Sequence, residues 1–532
     1  MNFRKVNCLA ASIATVLGTS SAFAVLPPGQ GGPAAPDFVF YIGGGSAEPQ
    51  PVQAAFCRLF NNVDVYTDTA VANPSTSSGT WLILYGTATA AIGTHIALGK
   101  NVMLMYKLNG GSYTNGGLPQ TVAPPNPAAF LPYPDPATQV LAATTVPDGP
   151  AGNNGQACKA VNNGTPTQHY TKGGTFNQAP DFGLTDLEVA AFSGVNNPTN
   201  APLNPVGAST GVYDLVFGIA ATSALYAQKH NFSSAEIGGI IQGAITDWSQ
   251  LYGDQGAFAN VPLPAGKVVL VDRNVGSGHK TQSAAQFLGY PGQGANAVLP
   301  QSASNLTGTG LGGVSCVGAQ ITNNSGYNTG QPLVAAGTCP TVPVQVCGGY
   351  QDVYTTSAAN SIVALEFTQA CAAPNNRAIG IVSMDNPPSV NGNLYSFVSI
   401  DNTNVDTGVA PGDSINSAPG GHTSYINAVK GNYTDFYQAS FNTRTGFLAG
   451  ASANVDMAVA MRTQLASPGL SGCVTGAKFP LSTPGILADA DNLAALPATG
   501  GGTLTSRLQS SDSLIPSIVP LPGNIVTCAD PL

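Results

Sequence analysis

The stretch Asp272-Arg-Asn-Val-Gly-Ser-Gly-His-Lys280 carries most of the information about the fold. It ends an apolar run at residues 267–272 that is typical of a buried strand. Its Gly-Ser-Gly turn then leads into a helical pattern of apolar residues. A strand, a turn and a helix in this order indicate an α/β architecture.

The same stretch is suited to an anion. The start of a helix presents free N–H groups and a partial positive charge. Arg273 can bind two oxyanion oxygens at once, and Ser277 can donate a hydroxyl. An ordinary strand–turn–helix with a surface arginine is the alternative interpretation.

Other segments show the same alternation of strands and helices. Two helix starts have the Ser/Thr-x-x-Glu pattern of a capping box, at Thr185–Glu188 and at Ser233–Glu236. The remaining predicted elements are a strand at 38–42, a helix opened by Pro49 and Pro51, a helix near 360–370 and a strand at 378–382.

Asp186 has two interpretations. It suits the first turn of the helix predicted from Thr185. Alternatively it faces an anion as a hydrogen-bond acceptor, which requires a ligand that carries a proton. Monohydrogen phosphate has such a proton and sulfate has none, so a buried aspartate here predicts phosphate over sulfate.

Residues 1–24 are predicted to be a signal peptide, with a basic start, an apolar stretch and an Ala-Phe-Ala cleavage pattern ending at Ala24. The mature chain is expected to begin near Val25 and to be periplasmic or extracellular. Removing Arg4 and Lys5 leaves 15 of the 17 basic residues against 26 acidic ones, a net charge of −11. This charge disfavours nucleic-acid binding.

The mature chain has eight cysteines, an even number that predicts up to four disulfides in an exported protein. The sequence leaves their connectivity open. No Cys-x-x-Cys pair occurs, and the histidines show no metal-ligand spacing, so no metal site is predicted. The cysteines are Cys57, Cys158, Cys316, Cys339, Cys347, Cys371, Cys473 and Cys528.

Five short segments, in order along the chain, resemble the phosphate-binding protein of bacterial Pst-type phosphate transporters. The resemblance implies a two-lobed type II periplasmic-binding-protein fold. Lobe one would comprise residues 25–212 and about 436–532, and lobe two residues 213–435. Three long loops, at about 108–180, 291–350 and 385–420, would be additional to that family. The five segments are Gly43-Gly-Gly-Ser-Ala-Glu-Pro-Gln-Pro51, Asp181-Phe-Gly-Leu-Thr-Asp186, Gly243-Ala-Ile-Thr-Asp-Trp248, Arg273-Asn-Val-Gly-Ser-Gly278 and Arg377-Ala-Ile-Gly-Ile-Val382.

The resemblance also implies a set of ligand contacts. Four positions depart from the family pattern: Ala47 and His279 each replace a threonine, Glu48 replaces an aromatic residue, and Val275 replaces an aspartate. A charged Glu48 near phosphate would be unfavourable unless it points away. The predicted ligand-binding residues are Ser46, Ala47, Ser112, Asp186, Arg273, Ser277, Gly278 and His279.

The expected function is capture of phosphate or a related oxyanion, without a cofactor and without turnover. An ABC transporter membrane component is the partner that the resemblance implies. One alternative is a phosphatase-like relative in which Glu48 and His279 act as general base and acid. Another is an extracellular structural protein whose anion site is weakened or lost.

Overall fold

A computed structural model gives the architecture of the chain. The signal peptide predicted for residues 1–24 lies outside the residues that it describes. The described residues are 36–67, 81–108, 111–135, 168–169, 174–192, 206–289, 316–317, 345–347, 350–355, 358–384, 395–403, 433, 435–466 and 486–488.

Helices and strands alternate along the described chain, which confirms the α/β class. A π-helical turn, Tyr113–Gly117, precedes α2. The α-helices are α1 (Pro49–Leu59), α2 (Leu118–Thr121), α3 (Ser223–Tyr226), α4 (Ser234–Gln242), α5 (Gly278–Leu288), α6 (Ala358–Gln369) and α7 (Ala453–Leu465). Short 3₁₀ turns occur at Pro127–Ala129, Val189–Phe192, Trp248–Gln250, Gly256–Phe258 and Phe447–Ala449.

Most strands join one long mixed sheet. The strands are β1 (Phe38–Gly43), β2 (Phe60–Thr67), β3 (Trp81–Ala88), β4 (Asn101–Lys107), β5 (Leu131–Pro134), β6 (Gln168–His169), β7 (Thr175–Gln178), β8 (Phe182–Thr185), β9 (Ala208–Thr222), β10 (Asn231–Phe232), β11 (Val269–Arg273), β12 (Cys316–Val317), β13 (Gln345–Cys347), β14 (Tyr350–Thr355), β15 (Ile379–Ser383), β16 (Tyr395–Phe397), β17 (Ser399–Ile400), β18 (Phe436–Thr443) and β19 (Ile486–Ala488).

The sheet order is β12-β13-β14-β11-β15-β9-β18-β8-β1-β4-β3-β2-β6. Strand β1 is parallel to both β4 and β8, and β11 is parallel to both β14 and β15. Loops that follow parallel neighbours leave from the same edge of a sheet. The loops after β1 and β8 therefore start side by side.

Strand β9 is common to two hydrophobic clusters. Its residues Val216 and Ile219 pack with β11, β15, α4 and α6, while Leu215 and Phe217 pack with β1 to β4, α1 and α7. Strand β18 runs antiparallel to β9, with a register shift after Ala439.

Several local predictions are confirmed. Ser233 forms the predicted capping box with Glu236 at the start of α4. Pro49 occupies the first turn of α1, where its missing N–H is not needed. The predicted strand at 38–42 is β1, and the predicted helix near 360–370 is α6.

The helix predicted from Thr185 is wrong. Thr185 ends β8, and its hydroxyl donates to the Leu187 carbonyl oxygen at 2.5 Å instead of capping a helix. A short 3₁₀ turn, Val189–Phe192, follows. The capping-box pattern was misleading because a threonine hydroxyl can also hydrogen-bond to a backbone group in a local turn.

The prediction of one long surface loop at 108–180 is also wrong in part. The segment 111–121 is helical and largely buried, and β5 pairs with β7. The disulfides remain a prediction, since Cys158, Cys339, Cys473 and Cys528 lie outside the described residues.

Candidate functional site

The site lies where the loops after β1, β8 and β11 meet the segment that begins at Gly111. The Tyr113 N–H donates to the Gly276 carbonyl oxygen at 3.0 Å, which joins this segment to the loop after β11. The seven predicted ligand-binding residues that have a side chain are each at most 3% exposed. Polar groups buried this deeply need partners, so their contacts are informative.

Two side chains fix the loop after β1. Tyr106 donates its hydroxyl proton to the Gly45 carbonyl oxygen at 2.6 Å, and Asn115 Nδ2 donates to the Gly44 carbonyl oxygen at 3.0 Å. Neither residue was predicted from the sequence to have a role. The loop is therefore held by its neighbours and is not simply a flexible glycine turn.

The N-terminus of α5 provides the second part of the site. Ser277 takes the N-cap position, but its hydroxyl caps no N–H group and has no hydrogen-bond partner among the described residues. Since Ser277 is only 1% exposed, a free hydroxyl there can donate to a ligand. The Gly278 N–H donates to Asp186. A Cβ at position 278 would come within 1.9 Å of Asp186 Oδ2, so only glycine fits this approach.

Asp186 and Glu48 place two carboxyl groups next to each other. A Cβ built on Gly45 would lie 2.8 Å from Glu48 Oε2, 2.9 Å from Ser112 Cβ and 3.1 Å from Asp186 Oδ1. Burial and then the nearby charge of Asp186 raise the pKa of Glu48 well above its ordinary value. Burial raises the pKa of Asp186, although the Arg273 charge and the Gly278 N–H act to lower it.

Arg273 and His279 form a pair of adjacent nitrogens. Arg273 Nη1 and His279 Nδ1 are 3.3 Å apart. The Ser383 N–H donates to His279 Nε2 at 3.1 Å. The Ser383 hydroxyl oxygen is also 3.1 Å from Nε2, so each ring nitrogen has a polar partner among the described residues.

His279 is a neutral group at this site. Burial and then the nearby Arg273 charge hold the pKa of His279 well below its ordinary value. Its Nδ1 atom lies 4.0 Å from Asp186 Oδ2. The contact with Nδ1 holds the Arg273 guanidinium beside the start of α5, where a buried guanidinium can bind an oxygen-rich anion.

The remaining predicted residues differ in what they offer. Ser112 lies beside Asp186, and its hydroxyl makes no hydrogen bond of normal geometry among the described residues. The Ser46 hydroxyl accepts from the Ala358 N–H at 3.3 Å, which links the loop to the start of α6. The Ala47 methyl group packs in the hydrophobic cluster around α1, so only its backbone is available to a ligand.

Three residues that shape the site received no role from the sequence. Tyr106 lies one residue before the end of β4, and Ser383 is the last residue of β15. Polar residues that end apolar strands are a usable signal for a site at the sheet edge. Asn115, in a glycine-rich segment, gives no comparable signal.

A neighbouring ion pair bears on the chemistry of the site. Lys280 pairs with Asp272 while both side chains are buried, so its charge is directed to that carboxylate. Among the described residues, no group of three or more His, Cys, Asp or Glu side chains is arranged to hold a metal ion. No helix in the described part of the chain is long and apolar enough to span a membrane.

No protein-family model and no curated protein matches the chain. Among solved structures, it is similar to an ABC-type phosphate transport receptor from Vibrio cholerae, with 12% identity and a TM-score of 0.25. The match covers 48% of this chain and 66% of that receptor, just under two thirds of its length.

Two further structures are similar at the same level. One is a putative phosphate ABC transporter substrate-binding protein with bound phosphate from Clostridium perfringens, with 12% identity and a TM-score of 0.24 over 50% of this chain and 68% of that one. The other is an ancestral soluble variant of the human phosphate binding protein, with 14% identity and a TM-score of 0.23 over 52% and 74%.

Proposed function

We propose that this chain binds a small tetrahedral oxyanion, with phosphate as the leading ligand. The observation that carries the proposal is the buried Arg273 guanidinium, held 3.3 Å from His279 Nδ1 in the first turn of α5. Ser277, at the N-terminus of α5, adds a free buried hydroxyl. Adjacent donors at a helix start are an arrangement that stabilises an anion.

Asp186 supports phosphate in particular. It is 1% exposed, and its Oδ2 lies 4.0 Å from His279 Nδ1. A carboxylate in an anion site can accept a hydrogen bond from a protonated oxyanion, whereas a bare anion would face it as a like charge.

The cellular role extends this proposal. An exported protein with two lobes that close on phosphate would work in the periplasm or outside the cell. An ABC transporter membrane component would be its partner in the first case. Support comes from the signal-peptide pattern of residues 1–24 and from the family resemblance of the five sequence segments.

Binding without turnover is part of the proposal. In the phosphatase alternative, Glu48 and His279 would exchange protons with a substrate. His279 accepts the Ser383 N–H, and the Arg273 charge disfavours its protonated form. Steady hydrolysis of a simple phosphoester that is lost in His279→Ala would support the phosphatase alternative instead.

Calorimetric titration with phosphate tests the proposed function. The purified protein would first be unfolded, dialysed free of anion and refolded. We expect saturable binding of one phosphate, and we expect Asp186→Asn to weaken it by about 10- to 100-fold through loss of a charged acceptor.

Asp37→Asn is the matched control, because Asp37 precedes β1 at the end far from the site and pairs with Lys100. It should leave phosphate affinity unchanged. No phosphate binding by the wild-type protein would contradict the proposed function. Equal affinity in Asp186→Asn and wild type would remove Asp186 from the site.

A further inference from the structure

The turn that carries Asp186 is closed by the side chain of the residue before it. The Thr185 hydroxyl donates its proton to the Leu187 carbonyl oxygen at 2.5 Å, across Asp186. Thr185 and Asp186 are at most 1% exposed and Leu187 is 3% exposed, so water does not compete for this contact. The position of the Asp186 backbone therefore depends on the orientation of one buried hydroxyl.

Asn442, on β18, fixes that hydroxyl. Its Nδ2 lies 3.0 Å from Thr185 Oγ1 and 3.3 Å from the Ser440 carbonyl oxygen. A carbonyl oxygen can only accept, so the atom that faces it is the amide nitrogen, and the orientation of the amide follows from its contacts. The single Thr185 hydroxyl proton belongs to the Leu187 carbonyl oxygen, so Thr185 Oγ1 accepts from Asn442.

The contact reaches the turn from a neighbouring strand. Strand β18 runs antiparallel to β8, and Asn442 is paired with Gly183 in the register of the two strands. Because β18 also pairs with β9, it is held on both sides within the sheet. The turn, in contrast, lies at the sheet edge where β8 ends at Thr185. A binding group is placed accurately when its supports are themselves held by packing and hydrogen bonds, and β18 provides such a support.

The Asp186 carboxyl group lies in a narrow space. A Cβ on Gly45 would lie 3.1 Å from Oδ1, and a Cβ on Gly278 would lie 1.9 Å from Oδ2. Asp186 Oδ1 accepts no hydrogen bond of normal geometry among the described residues. It can therefore accept a proton from the ligand, and a shift of the turn by about 1 Å would be enough to spoil that contact.

Asn442 is a poor choice for packing alone. It is 0% exposed, and its Oδ1 accepts no hydrogen bond among the described residues. A buried acceptor without a partner lowers stability, whereas an apolar side chain of the same size would not. The presence of an amide here therefore indicates a role beyond holding β18 in the sheet.

We propose that Asn442 and Thr185 are positioning residues for Asp186, and that together they set the preference of the site for a protonated oxyanion over a bare one. Asn442 acts on the ligand only through Thr185 and the turn that it closes. When the turn is held, Asp186 accepts a proton from hydrogen phosphate and repels sulfate. This inference rests on the proposed anion site and assigns part of its specificity to residues outside it.

Four substitutions test this assignment. Thr185→Val removes the hydroxyl and keeps the shape, whereas Thr185→Ser keeps the hydroxyl. Asn442→Leu removes the donor to Thr185 and keeps the size of the side chain. Thr87→Val is the matched control, because Thr87 Oγ1 donates to Asn101 Oδ1 at 3.0 Å, at the opposite end of β4 from Tyr106. Phosphate would be titrated calorimetrically into each protein, alone and against excess sulfate, and thermal unfolding would check each fold.

We expect wild type and Thr185→Ser to bind phosphate in preference to sulfate, with constants that agree within about threefold. In Thr185→Val and Asn442→Leu the dissociation constant of phosphate should rise by about 3- to 30-fold, because Asp186 is no longer held in place. The dissociation constant of sulfate should stay the same or fall, because the carboxylate then faces the bare anion less closely. Thr87→Val should bind both anions as wild type does.

The ratio of the sulfate to the phosphate dissociation constant separates positioning from a merely structural role, which would weaken both anions alike. A folded Thr185→Val or Asn442→Leu variant that keeps the wild-type ratio would overturn the inference and leave the proposed function intact. Equal losses in Thr185→Val and Thr185→Ser would also overturn it, because the hydroxyl would then be irrelevant.

Two results for the wild-type protein decide the matter without the variants. Wild-type protein that binds sulfate as tightly as phosphate would overturn the inference, because there would be no preference for Asn442 and Thr185 to set. Wild-type protein that binds no phosphate would contradict the proposed function and the inference with it. If Thr185→Val does not fold, Asn442→Leu tests the same contact by the same ratio.

Discussion

His279 shows how contacts on two sides hold a buried ring. The Ser383 N–H donates to Nε2, while Nδ1 lies on the side of Arg273 and Asp186. The ring also meets the Phe217 ring edge to face, with centroids 5.1 Å apart, which fixes its plane. A histidine stands at this position, where the resemblance implies a threonine, and its lowered pKa keeps it neutral.

Removing the His279 ring should weaken anion binding. We expect His279→Leu to reduce phosphate affinity by about 5- to 100-fold, because Arg273 loses the polar contact that positions its guanidinium. His279→Asn should keep much of the affinity, since the asparagine amide can still hydrogen-bond Arg273 near the position of Nδ1. Phosphate titration of both variants, with thermal unfolding as the check on folding, measures the difference.

Equal losses in the leucine and asparagine variants would show that the ring acts only by filling space. A wild-type affinity that changes steeply between about pH 5 and 7, and becomes flat in His279→Asn, would contradict the neutral ring, because an ordinary histidine titrates in that range.

Residue identities at the site were easier to predict than residue roles. Arg273, Ser277 and Gly278 follow from a strand that ends in a glycine turn, which is a local pattern. Glu48 contacts Tyr106, 58 positions away along the chain. His279 contacts Ser383, 104 positions away. Contacts of this range leave no local trace in the sequence.

Helix α7 is attached to the turn at residues 92–96 by one carboxylate. Asp456 Oδ2 accepts from the Thr94 N–H at 2.8 Å, from the His95 N–H at 2.9 Å and from the His95 ring at 2.8 Å. Burial alone would raise the pKa of Asp456, but these contacts outweigh it and hold the pKa below its ordinary value.

Asp456→Ala should lower the free energy of unfolding by about 1–3 kcal/mol, because two N–H groups lose their acceptor. His95→Ala should have a smaller effect, because both backbone contacts remain. The folded-state pKa of Asp456 lies below its unfolded value, so this stabilisation is present above the unfolded pKa and is lost as the pH falls through the folded pKa. Urea unfolding of both variants at neutral and acidic pH measures this.

A larger loss in His95→Ala than in Asp456→Ala would show that the ring, and not the carboxylate, holds the turn. Equal stability of all three proteins would mean that α7 docks through its apolar face alone, with Met457 and Met461 in the cluster around α1.

The two capping-box patterns show where prediction of elements succeeds and fails. At Ser233 the pattern precedes apolar residues at helical spacing, and α4 forms as predicted. At Thr185 the preceding residues join β8, which lies between β1 and β18 in the sheet. Pairing in the sheet overrides the local preference there, and it also brings Asp186 beside the loop after β1.

At the scale of the whole molecule, buried acids make stability depend on pH. Burial raises the pKa of Glu366 on α6 to about 8 and that of Asp181, before β8, to about 6. Both folded-state values lie above those of an unfolded chain. Between the two pKa values, each group is ionised in the unfolded chain but still protonated in the folded protein. The free energy of unfolding should therefore decline as the pH rises from about 4 towards 8.

Glu366 gives the clearest test of this decline, because its side chain is only 4% exposed and burial is the cause of its raised pKa. Glu366→Gln removes the ionisable group and keeps its shape. At neutral pH the variant should be more stable than wild type by about 1–3 kcal/mol, since each pH unit between the two pKa values is worth about 1.4 kcal/mol and a buried amide recovers only part of that. Below about pH 4 the two proteins should have the same free energy of unfolding, because Glu366 is then protonated in both states.

Asp37→Asn is the opposite control: the Lys100 contact holds the pKa of Asp37 low, so that variant should lose a little stability at neutral pH. Urea unfolding from pH 4 to 8 would contradict the assignment if the stability difference between Glu366→Gln and wild type did not grow with pH.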